Sequence, residues 1–148
     1  MAISGIHGTG HLDLRIRQSD DNYEMTRKRP VEGTDSSKQE EQTIILEKTE
    51  FESLSHADVR KIEKVRYYYP HGDLTAEFDV FEGDLAGLVL IDFEFKTEAD
   101  MAAFAMPVFC LADVTQEAFI ADGVLAGKSY ADIEPELQTY RYQKLVPK

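Results

Sequence analysis

Three pairs of like charges, each pair two residues apart, are the residues of this sequence best suited to bind an ionic ligand. They are Lys64 and Arg66, Glu77 and Asp79, and Asp92 and Glu94, and the residues between them are the apolar Val65, Phe78 and Phe93. Side chains at positions i and i+2 of a β-strand point to the same face. The spacing therefore predicts a sheet face that is cationic on one strand and anionic on the next two, with an apolar back.

The same alternation of charged and apolar residues occurs earlier in the chain. Its charged members are Arg15, Arg17, Lys28, Lys38 and Glu40. One Arg-x-Arg pair is usually a solvated strand face, but recurrence over six predicted strands favours a binding surface. Arg and Lys suit phosphate oxygens, whereas carboxylates suit hard cations such as Mg2+. The charge pattern thus predicts a metal–polyphosphate site.

The strands that must position these charges are predicted at residues 12–18, 23–29 and 39–46, with three more within residues 62–96. Helices are predicted at residues 49–54, 97–106 and 116–125, and a last helix begins after Ser129. The glycine-rich residues 1–10 predict a flexible lead-in. The pattern favours an α+β fold in which the C-terminal helices cover the apolar face. The charged face then lines a concavity, because a sheet of six or more strands can curl towards a barrel.

Composition narrows the class of protein. The 148 residues predict one domain spanning residues 1–148, and the net charge of −12 argues against a nucleic-acid or anionic-membrane binder. We find no apolar run of transmembrane length and no signal-peptide pattern. The single cysteine, Cys110, excludes an internal disulfide and lies in an apolar run. These observations predict a cytoplasmic protein.

The charged segments resemble the CYTH family, the triphosphate tunnel metalloenzymes. The matching segments are Leu-Arg-Ile-Arg (14–17), Met-Thr-Arg-Lys (25–28), Glu-Lys-Val-Arg-Tyr (63–67), Glu-Phe-Asp-Val-Phe-Glu-Gly (77–83) and Gly-Leu-Val-Leu-Ile-Asp-Phe-Glu-Phe (87–95), followed by Phe-x2-Pro (104–107) and Asp-Val-Thr (113–115). The resemblance implies an antiparallel eight-stranded tunnel with helices packed outside. It also implies a Mg2+- or Mn2+-dependent hydrolase of tripolyphosphate or thiamine triphosphate, or a class IV adenylate cyclase.

Carried over residue by residue, the resemblance implies two sets of site residues. The substrate-binding set, which would hold phosphate oxygens, is Arg15, Arg17, Lys28, Lys64 and Arg66, with Lys28 and Arg66 as the catalytic members, and the charge pattern adds Lys38 to it. The metal set, which would hold Mg2+ or Mn2+ or position the attacking water, is Glu40, Glu77, Asp79, Asp92 and Glu94.

The sequence departs from the family pattern at its first strand. That strand carries Glu-x-Glu-x-Lys in the family, whereas residues 1–14 contain neither Glu nor Lys. We therefore expect this chain to lack the first strand, and with it metal ligands and a lysine. Gln42 and Asp92 also stand where the family usually has Glu.

Two alternatives to a tripolyphosphatase remain open at this point. The chain could be a non-catalytic module that binds polyphosphate or a nucleotide without turnover. It could also be an open sheet whose free edge strand pairs with a second copy to form a homodimer.

Overall fold

A computed structural model of the chain describes residues 2–7, 13–30, 39–56 and 60–146. The chain divides into two compact units, one comprising Met1–Glu63 with Asp122–Gly127 and the other comprising Lys64–Ala121 with Lys128–Lys148. Each unit combines antiparallel strands with helices, so the predicted α+β class is confirmed. The prediction of a single domain stays a prediction.

The first unit is a meander of antiparallel strands. Its strands are β1 (Ala2–His7), β2 (Asp13–Ser19), β3 (Asn22–Pro30) and β4 (Gln39–Leu46), in the spatial order β4-β3-β2-β1, and β1 also pairs with the first residues of β5 (Arg60–His71). Helices α1 (Lys48–Ser55) and α3 (Asp122–Leu125) complete it. The β2–β3 turn lies at Asp20 and Asp21, between the strands predicted at residues 12–18 and 23–29.

The strand β1 corrects the expectation of a flexible lead-in. Its backbone pairs with β2 on one side, from Ile3 opposite Arg17, and with β5 on the other, from Ala2 opposite Glu63. Two neighbouring strands satisfy the backbone groups of this segment, which outweighs the weak strand propensity of a glycine-containing sequence. Its residues still include neither Glu nor Lys.

A small apolar core stabilises the first unit. Ile16, Leu46 and Phe51 are buried together, and Tyr23 packs its ring against Phe51 with 5.1 Å between centroids. Ile16 lies on the face of β2 opposite to Arg15 and Arg17, as the alternation predicts. Helix α1 begins with a capping box, in which the side chains of Glu47 and Glu50 accept each other's backbone N–H groups.

The second unit contains the three strands that carry the charge pairs. They are β5 from Lys64 onward, β6 (Leu74–Phe81) and β7 (Val89–Phe93), each antiparallel to the next. Helices α2 (Glu98–Ala103) and α4 (Tyr130–Thr139) follow. Strand β7 ends before the predicted residue 96, and α2 ends before the predicted residue 106. The predicted helix at residues 116–125 is instead a 3-10 turn, Ala118–Ile120, followed by the separate α3.

The described strands do not close into a barrel. Within the described ranges, β4 pairs only with β3, and β7 pairs only with β6. The prediction of antiparallel sheets with helices is therefore confirmed. The described residues do not show the closed barrel that the family resemblance implies. No helix in the described ranges is both long and apolar enough to cross a membrane.

The C-terminal residues are attached to the turn between β6 and β7. The Tyr142 hydroxyl donates to the Gly87 carbonyl and accepts from the Val89 N–H, both at 2.9 Å, and the Leu145 N–H also donates to the Gly87 carbonyl. The side chain of Lys144 lies against Gly87 and places its ammonium 4.6 Å from the Tyr130 ring centroid. This attachment holds β7, and with it Asp92, in place.

Gly87→Ala should lower the free energy of unfolding by more than Gly72→Ala does. Both glycines have a positive φ, 104° and 61°, so either alanine is strained by about 1–2 kcal/mol. A Cβ at Gly87 would also overlap Cγ of Lys144, whereas a Cβ at Gly72 meets nothing within 4 Å. Urea denaturation of the two variants measures the difference. Equal losses would show that the C-terminal attachment does not constrain this turn.

Candidate functional site

The register of the second unit places five predicted site residues on one face of its sheet. Arg66 lies opposite Asp79, and Glu77 lies opposite Asp92. Lys64 shares the parity of Arg66, and Glu77 shares that of Asp79. The structure thus brings together Lys64, Arg66, Glu77, Asp79 and Asp92, as the spacing of the charge pairs predicts.

The opposite face of these strands is aromatic. Phe78 and Phe93 pack against Phe109 and Phe104, with ring centroids 5.8 and 4.7 Å apart, and Tyr69 contacts both Phe78 and Phe109. The apolar back is therefore covered in part by the segment around and after the end of α2. The sequence had assigned this cover to the C-terminal helices.

Asp79 is the centre of the charged cluster. Its carboxylate is 2% exposed and accepts three hydrogen bonds: from Nζ of Lys64 at 2.7 Å, and from Nε and one terminal nitrogen of Arg66 at 2.6 and 2.8 Å. Lys64 is also buried, at 4% exposed. A buried ion costs several kcal/mol of desolvation unless it is paired and hydrogen-bonded. Here the two buried ions, Lys64 and Asp79, pair with each other, and the guanidinium of Arg66 donates two further hydrogen bonds to Asp79.

Arg66 joins two further carboxylates to this cluster. Its guanidinium donates to Glu77 and lies 3.4 Å from Asp92, while its side chain remains 30% exposed. The hydrogen bond to Asp79 raises the pKa of Arg66, so this group is a permanent cation. Burial alone would raise the pKa of Asp79, but the hydrogen bonds from Arg66 and Lys64 outweigh burial and lower it. Asp79 is therefore an anion at neutral pH.

Glu94 lies outside the strands that carry this cluster. It follows the end of β7 at Phe93, in an exposed segment. The alternation that pairs it with Asp92 in the sequence holds only within a strand. The predicted extension of this strand beyond Phe93 is wrong.

The first unit collects three of the predicted cations on one face. Arg15 lies opposite Thr26, and Lys28, two residues further along β3, shares the face of Thr26. Arg17 forms a 3.3 Å ion pair with its cross-strand neighbour Glu24, and Lys28 forms a 3.2 Å ion pair with its cross-strand neighbour Glu41.

The prediction that Glu40 shares this charged face is wrong. Lys28 lies opposite Glu41, so Glu40 falls on the other face of β4, together with Gln42, which accepts a hydrogen bond from Arg27. A shift of one residue in register exchanges the two faces of a strand, and the connection that sets this register has no hydrophobic pattern. Lys38 lies outside the described residues.

Two acidic residues of the site were missed in the sequence. Glu41 stands next to Glu40, and only the register distinguishes them. Asp122 lies in a predicted helix far along the chain, yet its carboxylate is 3.7 Å from a terminal nitrogen of Arg15. The sequence holds no signal for this contact, because the pairing depends on where α3 packs.

The carboxylates of the second unit fit a hard divalent cation in their chemistry but already hold another cation. Glu77, Asp79 and Asp92 supply oxygen donors of the kind that Mg2+ and Mn2+ prefer. All three instead converge on the guanidinium of Arg66. Across the described ranges, no group of three or more His, Cys, Asp or Glu side chains is arranged around a position for a metal ion. Metal binding at these residues therefore requires Arg66 to move.

Asp79→Asn should lower the free energy of unfolding by about 3–5 kcal/mol at pH 7, because it removes the negative charge that pairs with the buried Lys64 and with Arg66. Because the pKa of Asp79 is lowered in the folded state, its contribution is complete above about pH 4, where the unfolded carboxyl ionises, and is lost as the pH falls through the folded-state pKa. Urea denaturation between pH 3 and pH 7, on the order of five points, checks both effects. Asp113→Asn is the control, because the exposed Asp113 bonds only locally to Thr115. Similar losses in the two variants would contradict a buried network.

Comparisons with known proteins agree with this site. The CYTH domain matches residues 10–117 of the chain. The inorganic triphosphatase of Nitrosomonas europaea (strain ATCC 19718) is 38% identical over 112 residues, which cover 74% of this chain and 71% of that protein.

Two solved structures are also similar. They are the crystal structure of the inorganic triphosphatase NE1496 (31% identity) and that of the hypothetical protein NE1496 (32% identity). Each has a TM-score of 0.65 and covers 86% of this chain and 84% of the other. The family match extends over more than half of the chain and includes every strand that carries the predicted site. The chain therefore belongs to the CYTH domain family.

Proposed function

We propose that this chain is a divalent-metal-dependent triphosphatase that hydrolyses inorganic tripolyphosphate within a tunnel of the family's kind. The observation that carries the proposal is the cluster of Lys64 and Arg66 with Glu77, Asp79 and Asp92 on one sheet face. The similar inorganic triphosphatase from Nitrosomonas europaea supports this choice of substrate over thiamine triphosphate or a nucleotide.

Within this proposal, Lys64 and Arg66 have different tasks. Lys64 is buried against Asp79 and orients that carboxylate. Arg66 has a half-buried, forked guanidinium, which can bind two phosphate oxygens at once. We therefore assign Arg66 to the phosphoryl group that is transferred, where it neutralises the charge that develops on the equatorial oxygens.

The first unit supplies further cations in the proposal. Arg15, Arg17 and Lys28 share one face of the first unit and would bind phosphate oxygens, with Lys28 as the second catalytic cation. Each has an acidic partner in the described structure. These acidic partners would keep the cations ordered until the substrate arrives. Phosphate oxygens would then replace the acids or bind the cations beside them.

The metal ion, Mg2+ or Mn2+, would be held by Glu77, Asp79 and Asp92. When bound, such an ion polarises phosphate oxygens and stabilises the negative charge of the transition state. Release of Arg66 from these carboxylates frees its donors for phosphate.

A second candidate is a binding module without turnover. Two observations favour it: Arg66 already neutralises the carboxylates that would hold the metal, and β1 contains neither Glu nor Lys.

The edge strands β4 and β7 offer a surface for a homodimer, whether the chain is an enzyme or a binding module. Within the described ranges each pairs on one side only, so its other side would pair with a second copy of the chain. We place the protein in the cytoplasm, because its one cysteine, Cys110, is a free thiol, as is usual in a reducing compartment.

The purified chain should release phosphate from tripolyphosphate in the presence of Mg2+ or Mn2+, and Arg66→Lys should lower kcat by about 10²-fold. Lysine keeps the charge that Asp79 needs but loses the fork that holds two oxygens. A phosphate-release assay measures the effect, and thermal unfolding confirms that the variant is folded. Lys48→Gln is the control, because Lys48 is an exposed lysine that pairs only along its own helix with Glu52. Tripolyphosphate binding by calorimetry without phosphate release would instead select the binding module.

Glu77→Gln should raise the Mg2+ concentration that gives half-maximal activity by about 10-fold or more. The substitution removes one anionic oxygen donor but keeps the size of the side chain. Activity titrated with Mg2+ and with Mn2+, and abolished by a chelator, checks this expectation. Glu52→Gln is the matched control on an exposed glutamate. Equal metal requirements in both variants would contradict metal binding at Glu77.

A further inference from the structure

Helix α3 and the two residues after it form an anchored segment of the first unit. Leu125 is fully buried, and the Gly127 N–H donates to the Lys61 carbonyl of β5 at 3.2 Å. Gly127 has a φ of 81°, and a Cβ there would lie 3.0 Å from Cγ of Arg60. Glycine thus permits both the turn and the close approach. The segment Asp122–Gly127 is therefore fixed on the sheet at its C-terminal end and by its buried leucine.

This anchored segment presents Asp122 to Arg15. The two side chains are 23% and 12% exposed, and one carboxylate oxygen of Asp122 lies 3.7 Å from a terminal nitrogen of Arg15. Arg17 and Lys28 are more exposed and pair with acids directly across the sheet. Arg15 is thus the least exposed of the three described cations on this face, and Asp122, an acidic partner of Arg15, comes from outside the strands.

We infer that Asp122 is a positioning residue, which orients the guanidinium of Arg15 for phosphate binding. The inference rests on the proposed function. A guanidinium has five N–H donors in a rigid fork, so one arginine can bind a carboxylate and a phosphate at the same time. Holding the arginine in one orientation lowers the entropy that substrate binding must spend on ordering it. The family match ends at residue 117, before Asp122, and so assigns it no role.

The direction in which KM changes distinguishes a positioning role of Asp122 from a purely electrostatic one. Removing the charge of Asp122 makes the surroundings of Arg15 less negative, which by itself would strengthen phosphate binding and lower KM. Loss of orientation has the opposite effect and raises KM. The direction of the change in KM therefore decides between the two roles.

Asp122→Asn should raise KM for tripolyphosphate by about 5-fold and change kcat by less than about 2-fold, because it removes binding rather than chemistry. Asp122→Glu, which keeps the carboxylate, should recover most of the loss. In an Arg15→Gln background, Asp122→Asn should add less than about 2-fold, because the two residues act as one unit. Glu52→Gln, which breaks an exposed ion pair of the same unit, is the control and should leave KM unchanged.

Thermal unfolding and tripolyphosphate calorimetry accompany the kinetics, so that each variant is tested as a folded protein and independently of turnover. A KM that falls in Asp122→Asn, or a full effect that persists without Arg15, would overturn the positioning role while leaving the proposed function intact. A wild-type chain that neither binds nor hydrolyses tripolyphosphate would overturn the proposed function and this inference together.

Discussion

The buried carboxylate of Asp79, with Lys64 and Arg66 bound to it, is the interaction on which the rest of the second unit depends. Two ions with almost no exposure to water can persist in a folded protein only when each is paired and hydrogen-bonded. This requirement fixes the register of β5 against β6, since Arg66 must lie opposite Asp79. A slip of one residue would bring these charges into the aromatic face formed by Phe78, Phe93 and Phe109.

The same interaction defines what a ligand must do to bind. In the described structure the carboxylates and the guanidinium of Arg66 neutralise one another. In the proposed function, a divalent cation would compete with Arg66 for Asp79, Glu77 and Asp92, and a phosphate would compete with the carboxylates for Arg66. The two events would support each other, because a metal that takes the carboxylates would free the arginine for phosphate. In the proposed function, this exchange makes binding of substrate and of metal cooperative.

The ion pairs of the first unit are arranged differently. Its cations Arg15, Arg17 and Lys28 pair with three different acids, and all three are more exposed than Lys64. Arg17 and Lys28 take their partners from the neighbouring strand, so their pairing follows from the sheet register alone. Arg15 takes its partner from α3, and its orientation therefore depends on the packing of Leu125 and on the turn at Gly127.

The sequence by itself determined the strands that carry the charges, because a period of two with sorted signs is a strong local signal. It predicted β4 at its observed bounds, the shared face of Lys64, Arg66, Glu77, Asp79 and Asp92, and the family. Only the tertiary structure decided that Glu41 rather than Glu40 faces Lys28, that β1 is a strand, and that Asp122 meets Arg15. Register, backbone pairing with two neighbours and contacts between distant segments depend on partners that no local pattern specifies, and this is why these features were not predictable.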